Sequence, residues 1–196
     1  MFRAKCRPNA DTERRELGTE FMKLVLRLLV GALGGLSATG PMTIVMILLH
    51  RILPARHKYS LPPREITVHL AEKIGLHRKL DPDARAALTL VNHFGYGAMA
   101  ATLYSLIEGG IPLPAVLKGP IFGAMVWVVS YLGLLPAVGI LEPATEHPPS
   151  RNFLMIAVHL IWGLVVGIFV ATLLGEKKRP AGALLVGSPL PQMDRK

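Results

Sequence analysis

The chain has 196 residues, of which 51% are hydrophobic and only 18% charged, with a formal net charge of +9 at pH 7. A soluble domain carries nearer to about a quarter charged residues, so the composition argues for a membrane protein. Its basic residues flank apolar stretches, and no nucleic-acid-binding motif accompanies them. We therefore expect a lipid bilayer, and no nucleic acid, as its partner. The single cysteine, Cys6, excludes an intrachain disulfide and a Cys-x-x-Cys site.

Four stretches of the chain contain no Asp, Glu, Lys or Arg and are each long enough to cross a bilayer. They cover residues 28–49, 86–107, 119–141 and 152–174. A membrane-crossing helix needs about 20 apolar residues, because the hydrocarbon core is about 30 Å thick. The sequence therefore predicts an all-α fold, a four-helix transmembrane bundle that forms one domain over residues 22–175.

The two ends of the chain differ from this domain. Residues 1–21 are polar and charged without an apolar period, and we expect a disordered N-terminal tail there. Residues 176–196 are rich in Pro, Gly and basic residues, which is typical of a flexible basic tail. Lys and Arg favour the cytoplasmic side of a membrane. Their balance over tails and loops leans toward cytoplasmic N- and C-termini.

The loop between the first two stretches is the longest and contains a short apolar period. Ile66, Leu70 and Ile74 are spaced by four residues and therefore share one helical face. Two prolines precede this segment and a glycine follows it, as is common at the first turn and at the end of a helix. We predict a short amphipathic surface helix over residues 63–74.

Glycines and histidines recur in the same order in the two halves of the chain. The first and third stretches open with Gly-x-x-x-Gly, and the second and fourth contain His-x-x-aromatic-Gly. One copy consists of Gly31, Gly35, His93, Tyr96 and Gly97, and the other of Gly119, Gly123, His159, Trp162 and Gly163. The shared order predicts an internal repeat: two tandem helix pairs with the same orientation in the membrane.

The small residues also predict how the helices pack. Lipid provides little hydrophobic drive between helices, so close contact of their backbones becomes important. The predicted packing residues are Gly31, Gly35, Gly97, Gly119, Gly123, Gly163 and Gly167. Packing within the bundle is the preferred interpretation. A homodimer or larger membrane complex through the same faces is the alternative.

His93 and His159 are the candidate site residues. Each lies seven residues into its uncharged stretch, and therefore about 10 Å below the same membrane surface. Three interpretations are open. The two histidines hydrogen-bond neighbouring helices, or they line a polar cavity for an ion, a proton or a small molecule beside Asn92, Tyr96 and Trp162. In the third, they are the axial ligands of haem b. Too few further ligands are present for a zinc site.

No P-loop, Gly-x-Ser-x-Gly or His-Glu-x-x-His motif occurs in the chain, so we expect a non-enzymatic protein. The succession of stretches, with His159-Leu160-x-Trp162 early in the last one, resembles the YagU-like group of small bacterial inner-membrane proteins. The resemblance covers residues 28–174. It implies a multi-pass protein of the inner membrane and carries over no catalytic residue. Our leading hypothesis is an accessory or stress-related membrane protein.

Overall fold

The computed structural model describes residues 10–53, 60–76 and 80–175. Regular structure in these ranges is entirely helical, without a strand, as the predicted all-α fold requires. The helices are α1 (Ala10–Ile52), α2 (Pro62–Lys73), α3 (Pro82–Ile107), α4 (Ala115–Val128), α5 (Leu135–Ala137) and α6 (Pro149–Leu174). A π-helical segment, Val129–Leu134, joins α4 to α5 in one continuous helix.

Three helices are long and apolar enough to cross a membrane. They are Glu13–Ile52 within α1, the continuous helix Ala115–Ala137, and α6. The third predicted stretch covers residues 119–141, and its Leu-Pro-Ala sequence favours a helix end near Pro136. The helix ends at Ala137, one residue after this proline, and the chain then turns. α3 has 26 residues, as many as α6, but Asn92 and His93 interrupt its apolar run. A fourth span at α3 stays a prediction.

The N-terminal segment differs from the prediction, because α1 already begins at Ala10. Residues 10–21 are thus helical rather than part of a disordered tail. Two acidic residues of the first turn, Asp11 and Glu13, stabilise the helix because their negative charges interact favourably with the positive end of the helix dipole. Residues 1–9 and the predicted C-terminal tail, residues 176–196, lie outside the described part of the chain.

α1 is much longer than a bilayer requires. It contains 43 residues, which at 1.5 Å per residue extend over roughly 65 Å, about twice the thickness of the hydrocarbon core. Its N-terminal turns are exposed, and there Lys23 and Glu20 form an ion pair of 2.6 Å on the surface. Residues with high helix propensity, such as Glu, Leu, Lys and Arg, are common in these turns, and the Glu20–Lys23 ion pair adds to their stability. The helix can therefore continue outside the bundle.

The helices pack as two pairs, α1 with α3 and α4 with α6, and α1 also contacts α6. In the first pair, a Cβ added at Gly31 would collide with the backbone of Thr102, and one added at Gly35 with the backbone of Gly97. A Cβ added at Gly97 would in turn meet the Thr39 hydroxyl. Glycine is therefore what allows α1 and α3 to touch.

The second pair has the same kind of contact. A Cβ added at Gly119 would collide with the Gly163 carbonyl, and one at Gly123 with the His159 carbonyl. A Cβ at Gly167 would meet the backbone of α4. All seven predicted packing glycines therefore lie at these two contacts inside one chain.

Buried charges close the end of the bundle at which α3 and α4 are connected. Glu108 follows α3 directly, and its side chain is 2% exposed. It pairs with Lys118 Nζ at 2.8 Å and with Arg27 Nη1 at 3.5 Å. Arg27 also donates to the carbonyl of Ser105, at 2.7 Å. These contacts tie α1, α3 and α4 together. They were not predicted, since Glu108 lies just outside the uncharged stretch.

The glycine contacts predict that Gly123→Ala destabilises the bundle. The added methyl group would press on backbone atoms of α6 that have no rotamer to change, and overpacking of this kind costs about 1–3 kcal/mol. Thermal denaturation in mild detergent should show a lower midpoint for this variant. The matched control is Gly40→Ala in α1, where no heavy atom lies within 4 Å of the added Cβ. Equal midpoints for the two variants would contradict the packing role.

Candidate functional site

A cavity of about 340 Å³ lies inside the bundle, between α1, α3, the π-helical segment and α6, with α2 across one end. Its walls are largely apolar. Methionines from three helices line it, including Met42, Met46, Met99 and Met155. Methionine is flexible and polarisable, so such a wall adapts to the shape of a ligand. The cavity therefore has the character of a small-molecule site.

His159 lies on the α6 wall and is 7% exposed. Its Nδ1 donates a hydrogen bond to the carbonyl of Met155, one turn earlier in the same helix, at 2.7 Å. The Tyr131 ring meets the imidazole edge-on, with centroids 6.0 Å apart. Because Nδ1 carries the proton, Nε2 of the neutral ring keeps a lone pair. This hydrogen bond holds the ring on its own helix and does not join two helices.

His93 lies on the opposite wall, on α3. Its Nε2 is buried and has no hydrogen-bond partner among the described residues. Leaving a buried polar atom unpaired costs about 1–3 kcal/mol, and most such atoms in proteins have a partner. The expected hydrogen bond to a neighbouring helix is thus absent at this atom. Three further atoms, Trp127 Nε1, His147 Nε2 and Ser150 Oγ, are buried without a partner in the same way.

Two further polar side chains come from the π-helical segment. Ser130 is hydrogen-bonded to the Tyr96 hydroxyl at 2.7 Å, and Tyr131 donates to Met155 Sδ at 3.8 Å. π-helical turns are rare and occur frequently at functional sites. Here the wider turn presents both side chains to the cavity. The sequence suggests Ser130 as a hydrogen-bond partner for the histidines, but it does not assign Tyr131 to the site.

The cavity reaches the surface of the bundle between α3 and the π-helical segment. The Tyr96–Ser130 hydrogen bond joins these two elements, and a ring contact between Tyr104 and Phe122 at 5.1 Å joins α3 to α4. Met99, which lines the cavity, is 63% exposed on the outer face of α3. If the bundle spans a membrane, this opening faces the lipid.

α2 lies across one end of the cavity and confirms the predicted short helix in the first loop. Its predicted apolar face is only partly buried, because Leu70 is 36% exposed and Ile74 is 65% exposed. Thr67 and Ala71 are buried instead, where small side chains allow α2 to approach α3. Ile66 and Leu70 line the cavity. The apolar face therefore contributes to the site.

Polar contacts hold α2 on the bundle. Glu65 accepts a hydrogen bond from Arg151 of α6 at 2.8 Å, and the Arg151 side chain is 7% exposed. His69 Nδ1 donates to the carbonyl of Ile140 at 2.6 Å. Asn92 connects α3 to α2, with its Nδ2 at 3.3 Å from the Thr67 hydroxyl. These contacts keep α2 in place over the cavity.

The structure brings the predicted site residues together. Asn92, His93, Tyr96, His159 and Trp162 all line this cavity. No group of three or more His, Cys, Asp or Glu side chains that could hold a metal ion occurs in the described ranges. The lone pair on Nε2 of His159 instead suits hydrogen bonding to a ligand.

The fold defines the class of protein: it is all-helical, with three helices long and apolar enough to span a membrane, which indicates a membrane protein. The chain belongs to DUF1440, a family of proteins of unknown function, and the family profile matches residues 42–168. Every residue that lines the cavity except Thr39 falls within this match. Comparisons with curated proteins and with solved structures give no significant match.

The contacts of α2 predict that Glu65→Ala loosens this helix. The change removes the carboxylate that accepts from Arg151, and hydrogen bonds to charged groups contribute about 1.5–3 kcal/mol. Hydrogen–deuterium exchange of the α2 amides should become about tenfold faster or more. Glu72→Ala is the control, because Glu72 lies on the exposed side of the same helix. Unchanged exchange in Glu65→Ala would contradict a clamping role.

Proposed function

We propose that this chain is a non-enzymatic, multi-pass protein of the bacterial inner membrane that binds a compact lipophilic ligand in its bundle cavity. The observation that carries the proposal is a largely apolar cavity of about 340 Å³ whose wall includes two histidines, His93 and His159. Ligand pockets typically have volumes of about 300–1,000 Å³ and combine apolar walls with a few polar groups. His93 and His159 are the polar contacts in this proposal.

The opening between α3 and the π-helical segment supports entry of the ligand from the bilayer. Met99 and Tyr96 lie at this opening and are 63% and 38% exposed. A molecule dissolved in lipid would reach the cavity without crossing water. The methionines on the walls would then pack around its apolar part.

The two helix pairs support a duplicated four-helix bundle, in which α3 is the fourth span. Gly31 and Gly35 contact α3 in the way that Gly119 and Gly123 contact α6. Each pair also contributes one cavity histidine at an equivalent position of the repeat. In this arrangement both termini lie on the same side, and the balance of basic residues favours the cytoplasm.

The finer assignments rest on the sequence. The inner-membrane location and a place in the YagU-like group rely on the His159-Leu160-x-Trp162 pattern and the succession of spans. An accessory or stress-related role is compatible with ligand binding. The seven packing glycines are occupied inside the chain, so a homodimer or larger complex would use other faces.

The proposal predicts saturable binding of an apolar probe next to Trp162. The chain has two tryptophans, of which Trp162 lines the cavity and Trp127 does not. In Trp127→Phe, reconstituted in lipid nanodiscs, 4-bromoanisole should quench Trp162 emission saturably, because bromine quenches on contact. Trp162→Phe is the control, in which quenching of Trp127 should rise only in proportion to the probe dissolved in lipid. The same linear response in both variants would overturn the proposal.

A small bis-histidine haem protein is the second candidate. An imidazole whose Nδ1 donates to a backbone carbonyl, as in His159, is oriented as haem and metal ligands usually are. His93 would be the other axial ligand. However, the cavity volume is near the lower end of the usual range, which favours a compact ligand over a macrocycle.

Visible absorption spectra of the purified protein, oxidised and then reduced with dithionite, separate the two candidates. We expect no Soret band if the cavity holds a compact ligand. A Soret band that shifts on reduction and disappears in His93→Ala or His159→Ala would instead establish the haem function. The cells used for expression should be haem-sufficient, so that a colourless protein counts against haem.

A further inference from the structure

The N-terminal part of α1 extends beyond both of the helices that it contacts in the bundle. Arg27 is hydrogen-bonded to Ser105, two residues before α3 ends, and Gly34 faces Val170, four residues before α6 ends. Contacts further along α1 involve earlier residues of α3 and α6, so both neighbours run antiparallel to α1. Residues 10–24 therefore have no helix of the described chain beside them.

An apolar stripe on this extension is left exposed. It consists of Leu17, Phe21 and Leu24, which are 68%, 66% and 45% exposed. Leu17, Leu24 and Gly31 are spaced by seven residues, and Phe21 precedes Gly35 by two such intervals. Residues seven apart lie on nearly the same side of a helix, and both glycines face α3. The apolar stripe therefore continues the packed face of α1 past the point at which α3 ends.

Acidic side chains border the apolar stripe on the side that lies in line with α6. Glu13 and Glu20 precede Gly34, which contacts α6, by multiples of seven residues. Glu16 lies one turn from each of them and therefore on the same side of the helix. All three carboxylates are exposed, and Glu20 pairs with Lys23. Glu13 and Glu16 thus give this border a net negative charge.

The C-terminal segment of the chain leaves the bundle next to this border. Val170 faces Gly34, and the two helices are antiparallel, so Gly175 is level with about residue 29 of α1. Three basic residues follow at once, at positions 177–179. Residues 183–186, Ala-Leu-Leu-Val, then form the longest uninterrupted apolar run between residues 176 and 196. The segment thus carries a positive charge and an apolar run in succession.

The segment is long enough to reach the apolar stripe. Leu17 lies twelve residues before the level of Gly175, which is a distance of about 18 Å along α1. Nine residues separate Gly175 from Leu184, and an extended chain of nine residues spans up to about 30 Å. The apolar run can therefore lie on the apolar stripe while the basic residues remain beside the acidic border.

A second copy of the chain fits this surface less well. In a symmetric dimer within one membrane, the two α1 helices would run side by side along the apolar stripe. The same face of α1 is occupied by α3 from Gly31 onward. A partner α1 would therefore collide with α3, whereas a short segment that arrives from the end of α6 would not.

We propose that the C-terminal segment docks on the extension of α1, with residues 183–186 packed on the apolar stripe and residues 177–179 beside its acidic border. This contact removes leucine and phenylalanine side chains from water and places opposite charges next to each other. It gives the bundle a second packed layer at the end at which both termini emerge.

The experiment traps the contact with a disulfide in the full chain. Phe21→Cys is combined with Ala183→Cys in a Cys6→Ser background, and a disulfide forms only if the two Cα atoms approach within about 7 Å. Thr19→Cys with Ala183→Cys is the matched control, because Thr19 is exposed on the opposite side of the same turn. Rates are corrected for the reactivity of each α1 thiol toward iodoacetamide.

We expect the intramolecular disulfide of the Phe21→Cys pair to form roughly tenfold faster or more than that of the Thr19→Cys pair. The reason is that docking raises the effective concentration of one thiol at the other. The tether from Gly175 to residue 183 is the same in both pairs, so its length does not contribute to the difference.

A second variant tests the contact without added cysteines. Leu184→Ser combined with Leu185→Ser retains the length and the basic residues of the segment but removes its apolar run. Hydrogen–deuterium exchange of the amides of residues 13–24 should become roughly 2- to 10-fold faster, because the apolar cover is lost. Met193→Ser is the control, since it changes the same segment outside the apolar run and should leave this exchange unchanged.

The outcomes decide between the possible occupants. Equal disulfide rates for the two pairs would overturn the proposal, because the segment would then visit both sides of α1 alike. A disulfide between two chains, seen as a covalent dimer on a non-reducing gel, would assign the surface to a second copy instead. Unchanged exchange in the double serine variant would also contradict docking. The proposed cavity function stands or falls separately, because none of these variants alters a residue that lines the cavity.

Discussion

The structure depends on the close approach of helix backbones at glycine. Within a bilayer the hydrophobic effect does not draw helices together, so van der Waals contact between flat surfaces must do so. Gly35 meets Gly97 in one helix pair, and Gly119 meets Gly163 in the other. The second pair also sets the site, because Gly123 packs on the carbonyl of His159. The contact that holds the bundle together therefore positions a cavity histidine.

The cavity follows from the way the two pairs are combined. α1 contacts both α3 and α6, whereas α3 and the helix that contains α4 are bridged mainly by side chains. Space is left between them, and the π-helical segment and α2 shape it. The ends are held by charges: Glu108 with Lys118 at one, and Glu65 with Arg151 at the other. Removing one partner of a buried pair is costly, so these contacts favour one arrangement of helices.

Much of the candidate site was predictable, because polar residues are rare in apolar stretches and therefore conspicuous. His93 and His159 were found by their equal depth, and Trp162 by its place in the repeated pattern. α1 was predicted too short, since charged residues at its start form a stable helix outside a membrane as well. For α2, the apolar period identified the helix but not which face is buried, because small residues such as Thr67 and Ala71 decide how closely it docks.

The sequence by itself determined the helical class, the apolar stretches, the packing glycines and the two histidines, because each of these depends only on local composition and on residue spacing. Only the tertiary structure decided that the histidines line one cavity. It also decided that His159 donates to its own helix, and that Tyr96 is hydrogen-bonded to Ser130. Hydrogen-bond partners depend on distances and directions between side chains, often of different helices, and residue spacing along the chain does not encode them.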